Sequence, residues 1–185
     1  LMTLYDDGAF SLDDPITKFI PELAGLKVFE GFDEAGEPIL VNADRPATMR
    51  ELMSHTAGFA YGLFSDDPVN NMFAEADVLG SPDLETYISR LATVPLLYQP
   101  GTNWAYSTAV DVQGYIVQKL SGKPLGQYLQ DEVFAPLGMV DTGFYVPEEK
   151  RDRFSEVFTP DDETGKLVPL EAPGFAFREG EIGME

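Results

Sequence analysis

Residues 107–120 read STAVDVQGYIVQKL, and the spacing of their apolar side chains decides the fold. Apolar residues recur there every three or four positions, which places them on one stripe of a helix. Val110 and Val117 widen that stripe, which consists of Ala109, Val112, Ile116 and Leu120. Gly122 and Pro124 follow, and a glycine at this place is typical of a helix end. The sequence therefore predicts a helix that buries one face in the core.

A second helix start lies upstream of this stretch. Thr48 and Glu51 have the spacing of a capping box. In that arrangement the threonine hydroxyl accepts from the Glu51 N–H, and the glutamate accepts from the Thr48 N–H. We expect a short helix from here to about His55, and a turn after it that ends at Gly58.

Two further helices have clear apolar periodicity. Ser81 is predicted as the N-cap of the first, with Pro82 at its first helical position, and Pro95 follows its end. Its apolar residues are Leu84, Tyr87, Ile88 and Leu91. The second runs from Leu125 towards Gly138, with apolar residues at Leu125, Tyr128, Leu129, Val133 and Phe134.

The remaining segments predict small strands and loops within a single segment, residues 1–185. Residues 27–43 indicate a surface hairpin, residues 144–170 a strand followed by a second hairpin, and residues 173–185 a loop. Residues 1–5 read as the last turn of a helix without a start signal, and the chain does not begin with methionine. We therefore expect a mostly helical α+β chain that is a portion of something longer.

The charge excludes two classes of partner. The 185 residues carry a formal charge of −20, which repels both nucleic-acid phosphates and anionic lipids. The longest uncharged apolar run, from Leu91 to Tyr98, is interrupted by Pro95 and is far shorter than the roughly 20 residues of a membrane span. We expect a soluble protein without a nucleic-acid or membrane partner, and its compartment stays open.

The sequence indicates no metal and no cofactor. It has no cysteine and one histidine, which leaves only an all-oxygen metal site conceivable, and no calcium-loop spacing occurs. Neither glycine-rich phosphate-binding motif, GxGxxG or GxxxxGK[ST], is present.

The sequence also contains no recognisable nucleophile. His55 is the only candidate base for a Ser-His-Asp triad, and no serine lies in a GxSxG motif. No serine is followed three positions later by the lysine of a Ser-x-x-Lys pair. We interpret His55 as an imidazole that bonds backbone groups around a turn.

Tyr106 is the candidate for proton transfer. It follows a turn at residues 99–103 and stands at the entrance of the helix described first. The positive end of a helix dipole favours a phenolate, which makes a tyrosine there usable as a base. The alternative is a packing residue whose hydroxyl lies in water.

Several stretches, taken together in their order, resemble the serine β-lactamase-related family, which includes class C β-lactamases, penicillin-binding DD-peptidases and carboxylesterases. They are residues 8–22 (GAFSLDDPITKFIPE), residues 49–58 (MRELMSHTAG), Pro100-Gly101 with Tyr106-Ser107, and residues 121–139 from SGKP to PLGM. The resemblance implies part of a serine β-lactamase/DD-peptidase-like fold that lacks much of its central antiparallel sheet.

The same resemblance implies an acyl-enzyme mechanism in which Tyr106 completes proton transfer. The family's Ser-x-x-Lys motif would then precede Leu1, and its third motif would follow Glu185. Thr108 stands where the peptidases and lactamases usually have asparagine, which favours the esterase branch.

The resemblance also implies roles for the neighbours of Tyr106. Ser107, Thr108, Trp104 and Tyr61 are expected in the substrate pocket. His55 and Gly58 are expected to shape the cleft as a structural turn.

Two other interpretations stay open. The parent protein could be a relative that acts on β-lactams or peptides, or a non-catalytic module that binds a ligand or partner. For the enzyme we expect a small-molecule ester or β-lactam-like substrate and no cofactor. The missing parts of the fold are then a possible partner of this chain, which we expect to be inactive by itself.

Overall fold

Helices dominate the part of the chain that the computed structural model describes, residues 1–63 and 66–169. The α-helices in these residues are α1 (Met2–Asp6), α2 (Met49–Met53), α3 (Pro68–Glu75), α4 (Leu84–Leu91), α5 (Ala109–Ser121) and α6 (Leu125–Leu129). The strands are β1 (Lys27–Phe32), β2 (Pro38–Asn42), β3 (Phe158–Pro160) and β4 (Leu167–Pro169). Short 3₁₀ turns cover Ile16–Lys18, Pro21–Leu23 and Glu148–Arg153, and a π-helical turn covers Gln130–Phe134.

Helix α5 lies at the centre and contacts α1, α2, α4 and α6. Its end is the predicted one, because Gly122 takes the left-handed conformation with φ +68°. The predicted stripe is buried at Ala109, Val112, Ile116 and Val117. Val110 was wrongly assigned to that stripe. It is 58% exposed, although Val117, seven positions later and therefore on nearly the same side of the helix, is buried.

Helix α2 begins at the capping box that the sequence predicts. The Glu51 N–H donates to Thr48 Oγ1 over 3.3 Å, and the Thr48 N–H donates to a Glu51 carboxylate oxygen over 2.8 Å. Met49 and Leu52 of this helix are fully buried. The box thus fixes the start of a very short helix whose apolar side packs on α5.

Helix α4 starts later than predicted. Asp83 is its N-cap, because the Asp83 carboxylate accepts from the Thr86 N–H over 2.6 Å. The hydroxyl of Ser81, the predicted cap, instead donates to the carbonyl of Val78 over 2.8 Å. Both residues are good capping types, and the geometry of the preceding turn decides between them.

Sequence reasoning missed helix α3 altogether. Its N-cap is Asp67, whose carboxylate accepts from two backbone N–H groups, and Pro68 occupies the first helical position. An acidic cap followed by proline is a helix start signal, but only eight residues follow before the helix ends.

The strands form two small antiparallel sheets. In the first, β1 pairs with β2 from Lys27↔Asn42 to Phe32↔Pro38. This hairpin is more than the surface excursion that was expected. The Phe29 N–H donates to the Leu96 carbonyl, and Val28 is buried.

In the second sheet β3 pairs with β4. The strand predicted at the start of residues 144–170 is wrong, because residues 143–145 form bends and the next strand along the chain begins only at Phe158. The loop predicted at residues 173–185, and Leu170 of the second hairpin, lie outside the described residues.

The described chain is therefore mostly helical, with small two-stranded sheets, as the partial fold predicted from the sequence requires. Within residues 1–63 and 66–169, no helix has the length and apolar character to cross a membrane.

The two valines of α5 test this core. Val112→Ala should lower the free energy of unfolding by about 2 kcal/mol, because Val112 is fully buried and its methyl groups leave a cavity. Val110→Ala is the same change at an exposed position of the same helix. Its free energy of unfolding should stay within about 0.5 kcal/mol of that of the unsubstituted chain. Urea unfolding of both variants gives the comparison. Equal losses would contradict the placement of this helix.

Candidate active site

The turn after α2 is the foundation of the candidate site. His55 follows the helix end in a left-handed conformation, φ +58°, and Gly58 is left-handed as well, φ +91°. A Cβ atom at Gly58 would lie 2.6 Å from the carbonyl oxygen of Tyr98, so only glycine fits. The Gly58 carbonyl in turn accepts from the Leu97 N–H over 2.8 Å. The turn therefore packs backbone against backbone on residues 97–98.

The segment that carries Tyr106 is bound along its length to this turn. Three N–H groups donate to its carbonyls: Gly101 to Thr56 over 2.8 Å, Ala105 to His55 over 3.1 Å, and Thr108 to Ala60 over 3.1 Å. We call this set of three hydrogen bonds the backbone clamp. It fixes both ends of the loop that contains Tyr106.

An ion pair holds the near end of that loop. The Arg45 guanidinium binds both carboxylate oxygens of Glu51, at 2.8 and 2.5 Å, and also donates to the Pro100 carbonyl over 3.2 Å. These hydrogen bonds from Arg45 lower the pKa of the Glu51 carboxyl below its ordinary value. Glu51 also closes the capping box of α2, so the helix start and the loop are joined through one side chain.

His55 has a defined hydrogen-bonding role. Its Nδ1 lies 3.2 Å from the backbone nitrogen of Ser107 and 3.1 Å from Ser107 Oγ. A backbone N–H can only donate, so Nδ1 is the acceptor and the neutral ring carries its proton on Nε2. Ser107 is only 4% exposed, which keeps a substrate carbonyl away from its hydroxyl. This serine–histidine contact therefore holds the loop and does not present a nucleophile.

Aromatic rings surround Tyr106. The His55 ring stacks on it with centroids 5.0 Å apart and planes inclined by 26°. The Tyr61 ring meets it edge-on at 5.7 Å, and the Trp104 ring lies edge-on to His55 at 6.3 Å. Tyr106 is 53% exposed and Trp104 66% exposed. The result is an aromatic wall, formed by Tyr61, Trp104 and Tyr106, with a half-exposed phenol on it.

Thr108 and Asp111 support this wall from the core side. Thr108 is fully buried, and its hydroxyl donates to an Asp111 carboxylate oxygen over 3.2 Å. Burial raises the pKa of the Asp111 carboxyl, while the bond from Thr108 opposes that rise. Burial, together with the nearby charge of Asp111, raises the pKa of Tyr61. Ser107 and Thr108, expected in the substrate pocket, are thus both buried, on the core side of the aromatic wall.

Asn70 on α3 is a supporting residue that the sequence did not indicate. Its side-chain oxygen accepts from the N–H groups of Tyr61 and Gly62, over 3.0 and 2.7 Å, and the residue is almost fully buried. Its own amide donates to Asp67, the N-cap of α3. The only sequence signal for it is the Asp67-Pro68 helix start, because its partners are nonlocal.

The described residues provide no metal centre. Across residues 1–63 and 66–169, no group of three or more histidine, aspartate or glutamate side chains is placed to hold an ion. The chemistry available at the wall is that of the Tyr106 phenol, which can exchange a proton with a group brought beside it.

The family profile described as β-lactamase matches residues 1–182. The chain belongs to the β-lactamase family. Its relatives include the protein Rv1367c of Mycobacterium tuberculosis, 36% identical over 88% of this chain and 40% of the relative. The lovastatin esterase of Penicillium rubens is 33% identical over 76% of this chain and 35% of the relative.

Solved structures of this family have the same fold. The structure of EstCE1, described as a hydrolase with promiscuous acyltransferase activity, matches with a TM-score of 0.71 and 27% identity over 94% of this chain. The match covers 44% of EstCE1. The chain therefore spans about two fifths of the length of these β-lactamase-family relatives, among which are an esterase and a hydrolase.

The structure brings together the residues expected around Tyr106. Tyr106, Trp104 and Tyr61 form the aromatic wall, and His55 with Ser107 lies directly behind it. Gly58 is one turn away and shapes the segment on which the wall rests. The catalytic role of Tyr106 in this β-lactamase-family chain is taken up below as a proposal.

Gly58 provides a test of the turn beneath the wall. Gly58→Ala adds a methyl group against the Tyr98 carbonyl, so the backbone must shift. Gly122→Ala is the matched control, because Gly122 is also left-handed but has open space at its Cβ position. We expect the control to lose about 1–2 kcal/mol in unfolding free energy from its backbone conformation. Gly58→Ala should lose at least about 1 kcal/mol more. Equal losses would show that the close approach is not rigid.

Proposed function

We propose that this chain is part of a serine hydrolase of the carboxylesterase type, in which Tyr106 takes part in proton transfer. The observation that carries the proposal is the placement of Tyr106. Its phenol lies half exposed on the aromatic wall, while the backbone clamp and the His55 ring fix the loop behind it. Family membership and the esterase among the relatives support the same reaction class.

The nucleophile is proposed to come from sequence that precedes Leu1. None of the serines in the chain is followed by lysine at the third position. The one histidine is occupied by the buried Ser107. We place the Ser-x-x-Lys pair before Leu1 and the third family motif after Glu185, consistent with a chain that spans two fifths of its relatives.

The proposed reaction has two steps. In acylation the serine oxygen attacks the ester carbonyl, its proton passes to the lysine–Tyr106 pair, and the alcohol leaves with a proton from that pair. In deacylation water gives up a proton to the same pair and attacks the acyl-enzyme, which releases the acid and restores the serine hydroxyl.

Ester substrates fit the residues better than β-lactams do. Thr108 stands where the lactamases and peptidases usually have asparagine, and it is fully buried with its hydroxyl bonded to Asp111. It therefore has no amide to offer to a lactam side chain. Trp104 and Tyr61 are proposed to contact the acyl group, because the Tyr61 ring lies edge-on to Tyr106 and the Trp104 ring lies edge-on to His55, which stacks on Tyr106.

Substitution of Tyr106 tests the proposed function. In the product of the complete coding sequence, Tyr106→Phe should lower kcat/KM for p-nitrophenyl butyrate by about 10²- to 10⁴-fold, the usual contribution of a general acid–base group. Tyr98→Phe is the matched control. Within the described residues the buried Tyr98 hydroxyl has no hydrogen-bond partner, so its removal should change kcat/KM by less than about twofold.

Four outcomes would count against this proposal. Loss of activity in both variants would indicate general disruption. Hydrolysis of nitrocefin in preference to the ester would identify a β-lactamase, and binding of either compound without turnover would identify a non-catalytic module. Ester turnover by the 185-residue chain alone, abolished by Tyr106→Phe, would place the nucleophile inside residues 1–185.

A further inference from the structure

We propose that His55 is the positioning residue of the site, and that it sets the place of the Tyr106 phenol through contacts with three consecutive residues. Its carbonyl accepts from the Ala105 N–H, its ring stacks on Tyr106, and its Nδ1 accepts from Ser107. The effect on turnover rests on the proposed function, whereas the contacts do not.

The backbone of His55 shows how strongly this place is determined. Its φ of +58° is an uncommon conformation for a residue with a side chain. Such a conformation persists only where the surroundings impose it. At His55 the surroundings are the end of α2 on one side and the backbone clamp on the other.

The left-handed conformation also aims the ring. In this conformation the imidazole stacks on the Tyr106 ring and accepts from the Ser107 N–H. Because Nδ1 is engaged by Ser107, the ring cannot rotate without breaking that bond. The stack on Tyr106 is therefore held in one orientation.

This position needs a ring that can stack, a hydrogen-bond acceptor and tolerance of a positive φ, and histidine has all three. Asparagine offers an acceptor near the place of Nδ1 and tolerates a positive φ, but it has no ring to stack. Phenylalanine offers a ring but no acceptor. Only one histidine occurs in the chain, so its contribution is separable from that of any other imidazole.

Two variants separate the ring from the acceptor. His55→Asn should keep the hydrogen bond from the Ser107 N–H and lose the stack on Tyr106. His55→Phe should keep the stack and lose the hydrogen bond. Tyr106 is also held by the Ala105 contact and by Tyr61, so neither variant should release the loop completely.

NMR of the 185-residue chain tests the contacts directly. The nitrogen correlation spectrum of the single histidine should show Nδ1 as the acceptor and Nε2 as the nitrogen that carries the proton of the neutral ring. The Tyr106 ring signals, identified by their loss in Tyr106→Phe, should lose their ring-current shift in His55→Asn and keep it in His55→Phe. The Ser107 amide proton should show the opposite pattern. A proton on Nδ1, or ring and amide signals that change together in both variants, would overturn the proposal.

Kinetics of the complete protein test the consequence. Each variant should lower kcat for p-nitrophenyl butyrate by about 10- to 100-fold and leave KM within about threefold, since misplacement of a reacting group affects the chemical step. Unchanged kcat in both variants would show that His55 does not position Tyr106. If the unsubstituted protein has no esterase activity, the proposed function fails, and the NMR pattern still decides whether His55 holds Tyr106.

Discussion

The backbone clamp between the turn at residues 55–60 and the segment at residues 101–108 is the constraint on which the rest of the structure depends. Its last hydrogen bond, from the Thr108 N–H to the Ala60 carbonyl, ends at the N-cap of α5. The loop of the candidate site therefore ends, and the central helix of the core begins, at the same anchored residue, Thr108. We therefore expect a change at Gly58 or at the start of α5 to shift the loop that carries Tyr106.

Polar side chains beside the core stabilise the same loop. Arg45 and Glu51 hold the near end of the loop, and Asn70 holds the backbone at Tyr61. Asp111, whose pKa is raised by burial, is kept where its oxygen accepts from Thr108. A buried carboxyl with a raised pKa lowers stability above its ordinary pKa, so the surroundings tolerate it at a cost.

Features that depend on residues close together in the chain could be predicted from the sequence. The stripe of α5, its end at Gly122 and the capping box at Thr48 follow from local spacing, and each is found in the structure. The N-cap of α4 was predicted wrongly, because Ser81 and Asp83 are both good capping residues. Helix α3 was not predicted, because it is only eight residues long. The contacts of His55 could not be predicted, because Ser107 lies 52 positions away and no local pattern encodes that pairing. The place of Tyr106 at a helix entrance and the resemblance to a family both indicated this residue, and the structure adds its surroundings.

The central claim is that Tyr106 serves a serine located outside these 185 residues. The most direct measurement is fluorophosphonate labelling of the complete protein, followed by peptide mass mapping. The labelling rate is compared between the unsubstituted protein and the Tyr106→Phe variant. We predict a single adduct on the serine of a Ser-x-x-Lys sequence that precedes Leu1, formed much more slowly in the variant. An adduct on a serine within residues 1–185, or a labelling rate indifferent to Tyr106, would contradict the claim.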